Sequence, residues 1–182
     1  MTKILLMLIL INQNLFSQNE SKLIIEIDSI CGVNSKDVVS DGVIEVKNKR
    51  NKIIGSGGFS IQTFLKYSDE ETYNKLSNEK KKKYNRKNYA ELIKGCHHQG
   101  IVYENSYTEN IYSEFFYRNG ELFYFKIKII RSEKNKADEI LNFNYSIKEL
   151  EESKAIKNIF LFDVKPWVNK INKEILELNN LY

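Results

Sequence analysis

The chain is poor in the residues that punctuate a fold and in those that hold metal ions. Its 182 residues include one proline, eight glycines, two cysteines and two histidines. A single proline and the lack of any Ser-rich stretch leave no candidate linker, so one domain is expected. The histidines are adjacent, His97 and His98, so no H-x-x-x-H pair exists to present two rings from one helix face. The one glycine run, Gly55-Ser56-Gly57-Gly58, has neither the lysine nor the following helix of a P-loop and reads as a bulge or hairpin turn. No internal repeat suggests a solenoid. The longest apolar run, Ile4–Ile11, would extend about 12 Å as a helix against a bilayer core of roughly 30 Å, so stable membrane insertion is not expected. A net charge of +4 is modest for a nucleic-acid binder, and none is expected as a partner. Hydrophobic residues at 42% exclude a disordered tail.

What is present at the N-terminus is an export pattern. Lys3 precedes the apolar run, and Leu15-Phe16-Ser17-Gln18 closes it with a small residue, as in a secretory signal peptide. Residues 1–17 are therefore set apart as a signal peptide, and 18–182 are read as a single domain that is periplasmic or secreted. In that oxidising compartment Cys31 and Cys96 are expected to pair. Closing the loop between them would add about 4 kcal/mol of stability in the chain-entropy account.

Residues 19–31 carry Leu23, Ile27 and Ile30 at helical spacing, with Gly32 as a stop, and predict a helix. Alternation over 43–47 and 52–67, with a turn at Asp41-Gly42, predicts two strands. Ser68-Asp69-Glu70-Glu71 is a capping box and opens a region expected to hold helices over 69–76 and 79–94, ended by Gly95. A short strand over 101–104 follows. The strongest local signal is Arg118-Asn119-Gly120-Glu121 between two aromatic, β-branched runs, which predicts a tight hairpin. Regular pairing places Arg118 opposite Glu121, Phe116 opposite Phe123 and Tyr112 opposite Ile127. Phe123, Phe125, Ile127 and Ile129 then form a dry face, and Phe115, Tyr117 and Tyr124 a wet one. Residues 140–147 read as a further strand. The last helix opens at Asp163 and carries the stripe Val164, Trp167, Val168, Ile171, Ile175 and Leu178. The expected fold is α+β: an antiparallel sheet of five or six strands packed on one face by N- and C-terminal helices.

Candidate chemistry is thin. Cys96-His97-His98 could offer ligands to zinc or copper, or a Cys–His nucleophile. Adjacent strand residues point to opposite faces, however, and a disulfide would consume the thiol. No catalytic residue, metal or cofactor is therefore assigned. Lys80, Lys83 and Arg86 lie in a basic run interleaved with tyrosines and, with Phe115, Tyr117 and Tyr124, are the candidate contacts for a protein or peptide partner in the envelope. The reading is a non-catalytic exported binding protein of the bacterial envelope, of inhibitor or immunity type. The alternative is a secreted hydrolase or metal-dependent enzyme centred on His97 and His98.

Overall fold

The structure is a computed structural model and describes residues 20–32, 36–67, 90–104, 106–152 and 164–181. The expected signal peptide, the helix over 69–76, most of that over 79–94 and the basic residues Lys80, Lys83 and Arg86 lie outside them. The chain falls into two compact units, Met1–Ser35 and Lys36–Tyr182. In the first, helix α1 spans 20–32 as its periodicity predicts.

The second unit is a six-stranded antiparallel meander, in the spatial order β1 to β6, with helices following it. Its strands are β1 (Lys36–Lys47), β2 (Ile53–Tyr67), β3 (Ala90–Tyr103), β4 (Thr108–Arg118), β5 (Glu121–Ser132) and β6 (Glu139–Ser146). A short helix α2 (Ile147–Glu152) and the C-terminal helix α3 (Val164–Leu181) complete it. The fold is α+β. Strands that are neighbours in sequence are neighbours in space throughout the sheet.

β1 and β3 run longer than the sequence pattern suggests. β1 passes through Asp41-Gly42 without a turn, and β2 passes through the Gly55–Gly58 run. Gly57 belongs in mid-strand because a Cβ there would collide with the carbonyl oxygen of Gly100. Ala90–Lys94, expected as the end of a helix, instead begins β3. Between Phe64↔Lys94 and Leu65↔Leu92 the strand carries one extra residue, Ile93. Leu92, Ile93 and Lys94 are all buried in succession at this bulge. Tertiary pairing with β2 and β4 overrides the local helical reading.

The β4–β5 hairpin forms as predicted at its turn. Arg118 faces Glu121, and Asn119 (φ 54°) and Gly120 (φ 78°) both occupy the left-handed region. One pair further on the expectation fails. Phe123 is an extra residue in β5, so Tyr117 pairs with Leu122 but Phe116 pairs with Tyr124. A shift of one residue moves every upstream side chain of β4 to the other face. Phe115 and Tyr117 therefore lie in the core, 0% and 1% exposed, and not on a wet face.

The core lies between the sheet and α3. Ile61 and Leu65 of β2, Ile111, Phe115 and Tyr117 of β4, and Phe125, Ile127 and Ile129 of β5 meet Val164, Val168, Ile171, Ile175 and Leu178. Each of those helix side chains contributes about 1.5–3 kcal/mol by leaving water. Trp167 borders this stripe and its Nε1–H donates to Ser113 Oγ at 3.3 Å. The Tyr117 hydroxyl donates to Asn172 Oδ1 at 2.8 Å, which pins the middle of α3 to β4. Ser146 ends β6 and caps α2. Its Oγ accepts from the Glu149 amide at 3.3 Å, and Glu149 Oε2 accepts from the Ser146 amide at 2.7 Å.

Candidate functional site

The middle of β3 is where the sequence concentrates its unusual side chains, and the strand divides them. His97 lies opposite Ile61 and Ser113 on the face covered by α3; His98 lies opposite Ser60 and Tyr112 on the outer face. His97 is 3% exposed, edge-on to Trp167 at 5.3 Å and roughly parallel to Phe59 at 6.5 Å. His98 is exposed and stacks flat on Tyr112, with centroids 4.4 Å apart and planes at 8°. A centre using both rings has no common cavity, because the sheet itself stands between them. Among the described residues no three His, Cys, Asp or Glu side chains converge as metal ligands.

Cys31 and Cys96 are not joined by a disulfide, which corrects the expected bridge. An even count of cysteines and an export pattern suggest a bridge, but bonding needs Cα atoms within about 7 Å and facing Cβ vectors. Sequence separation does not report either quantity.

Burial dominates the chemistry of His97. Desolvation, aided by the positive charge of Lys170 and by His98, lowers its pKa from 6.5 to about 4. The ring is neutral at pH 7, and its Nδ1 has no hydrogen-bond partner among the described residues. The Thr63 hydroxyl, one pair along the same face, is also buried without one. Tyr117 is pushed above the usual tyrosine range by burial.

Two concave regions flank this strand. On the outer face, Asp41, Gly42, Val43, Gly58, Phe59, Ser60, His98 and Gly100 line an open trough of about 620 Å³. Its floor is bare backbone, since Gly58 and Gly100 pair directly across β2 and β3. On the inner face a cleft of about 310 Å³ opens between β1–β3 and α3. It is lined by Ile44, Phe59, Ile61, Ile171 and Leu178, with His97 and Gln99 in the wall.

The outer face also carries most of the exposed large apolar side chains among the described residues. Val39 (58%), Val43 (82%), Val102 (58%), Tyr112 (42%) and Ile140 (52%) share it by register. Of the aromatic residues singled out from the sequence, Tyr124 keeps the outer side, half-buried and edge-on to Phe116. Phe116 is itself fully buried, with the Lys94 and Lys126 ammonium groups 5.0 and 4.8 Å from its ring centre. Val43, His98 and Tyr112 were the residues to notice. Their signal was an apolar or aromatic residue in phase with polar ones, legible only once β1 and β4 have the right register.

No family model matches the chain, and neither a curated protein nor a solved structure similar to it was found.

Proposed function

We propose that this chain is a non-catalytic binding protein exported to the bacterial envelope, and that it holds a protein partner on the outer face of β1–β4. The observation that carries the reading is the shared face of Val39, Val43, Val102 and Tyr112 around a trough floored by Gly58 and Gly100. Apolar side chains left in water on a flat sheet face gain free energy when a partner covers them. The His98–Tyr112 stack supplies a rigid aromatic centre of the kind that concentrates binding energy at interfaces. Asp41 and Ser60 at the trough edge add polar groups for orientation. An inhibitor or immunity role fits the same surface, with a secreted enzyme or toxin as the partner.

The test is a quantitative pull-down from envelope extract with the wild-type chain and a Val43→Asp, Tyr112→Ala double variant. Both substitutions fall at exposed positions, so the variant should stay folded with a loss of about 1–2 kcal/mol, from the His98–Tyr112 stack and from Asp in a strand. The expected result is a reproducible partner retained by the wild type and lost by the variant. Recovery of nothing reproducible, or equal recovery by both, overturns the reading. Mass spectrometry of the retained protein decides whether it is an enzyme or toxin.

A further inference from the structure

The inner cleft calls for its own explanation. A helix packed on a sheet normally fills the seam with side chains, and voids much larger than a water molecule are few. Here about 310 Å³ stays open between α3 and β1–β3. Its floor is apolar: Ile61, Ile171 and Leu178 are buried, and Ile44 and Phe59 are partly covered. A cavity of about 150 Å³ suffices to hold a benzene ring. Twice that volume suits a molecule of roughly a dozen non-hydrogen atoms.

The wall carries a polar group that the fold leaves unsatisfied. His97 lines the cleft, and its Nδ1 is buried with no partner among the described residues. Leaving such an atom unpaired costs about 1–3 kcal/mol. A half-turn of the imidazole about its Cβ–Cγ bond exchanges Nδ1 with Cδ2 while filling the same space, so either ring edge can present a nitrogen. A neutral imidazole offers one donor and one acceptor, and a hydroxyl can serve whichever is presented. The rim adds no unbalanced charge. Lys170 pairs with Glu174 at 3.9 Å, and Glu177 pairs with Lys173 at 3.7 Å.

We propose that this cleft is a binding site for a small, uncharged, mostly apolar molecule bearing a hydroxyl group, its body against Ile44, Phe59 and Ile171 and its hydroxyl on the His97 ring. The site is on the opposite face of the sheet from the protein-binding surface, and the two stand or fall separately.

The chain has a single tryptophan, and Trp167 lies edge-on to His97, so it reports occupancy directly. The probe is 4-propylphenol, with propylbenzene as the control that lacks only the hydroxyl. Wild-type protein should show a saturable change in Trp167 emission with 4-propylphenol. By calorimetry, His97→Phe, which keeps a ring in place, should weaken 4-propylphenol about tenfold and leave propylbenzene unchanged. Ile44→Trp, which fills the cleft from its partly exposed side, should abolish both. In the wild type, the His97 ring nitrogens should shift in NMR spectra with 4-propylphenol and stay still with propylbenzene. This last measurement needs no variant to fold. Absence of saturable binding, unchanged affinity in His97→Phe, or ring nitrogens that ignore the phenol each overturns the proposal.

Discussion

Gly95 is the position at which the docking of α3 can be tested most sharply. A Cβ at Gly95 would lie 2.7 Å from Cδ1, 2.8 Å from Cγ2 and 3.2 Å from Cγ1 of Ile175. Ile175 is 0% exposed, so its side chain has no solvent into which to move. Gly95→Ala thus overpacks the helix–sheet seam, at a cost of about 1–3 kcal/mol. Restricting the unfolded chain returns about 0.4–1 kcal/mol, which leaves a net loss of about 1–2 kcal/mol. Ile175→Ala alone should cost about 2–5 kcal/mol, because it opens a cavity in the same place. Combined, the two changes relieve each other: the new methyl occupies part of the space vacated by Ile175. The double variant should be more stable than the sum of the singles predicts, by about 1–2 kcal/mol, within the usual range for residues in contact. Urea denaturation of the four proteins, fitted with a common slope, measures this coupling. Additivity within about 0.5 kcal/mol would mean that Gly95 and Ile175 do not meet, and the packing of α3 across β3 would be wrong.

His97 predicts a pH dependence of stability. Its folded-state pKa of about 4 lies below the 6.5 of the free side chain, so the unfolded chain takes up the proton first. Stability from this group is therefore complete above about pH 6.5 and falls by about 3 kcal/mol as pH drops to 4. His97→Phe should flatten that limb, and an NMR titration midpoint for His97 near the free value would refute the burial. Tyr117→Phe removes the hydroxyl bonded to Asn172 at 2.8 Å and should cost about 1 kcal/mol by denaturant midpoint. Since burial raises the Tyr117 pKa, the contribution is present below the ordinary tyrosine range and is lost only as pH climbs through it. Ultraviolet titration of the folded proteins should accordingly show the same tyrosine ionisation for wild type and Tyr117→Phe across the ordinary tyrosine range, because the buried Tyr117 hydroxyl does not contribute there.

The candidate sites were less legible than the fold. The Cys96-His97-His98 triplet drew attention from composition alone, and period-two alternation already implied that its two rings part company. It could not say which ring would be buried, because that depends on which face α3 covers. The glycine run of β2 read as a bulge or hairpin turn, and Gly95 of β3 as the end of a helix. Their use at a close approach between paired strands is a property of the pair, absent from either segment alone.

Local chemistry in the chain was enough to determine the elements with strong punctuation: the Asn-Gly turn between β4 and β5, the stripe of α3 and the alternation of β6. Each depends on residues within a few positions of one another, so the pattern is physical at short range. Only the tertiary structure decided the bulges at Ile93 and Phe123, and with them the face on which Phe115 and Tyr117 lie. A bulge costs one unpaired residue and is repaid by burial across the whole sheet. That balance is struck among strands and helix together, and a one-residue change in it reverses inside and outside along an entire strand.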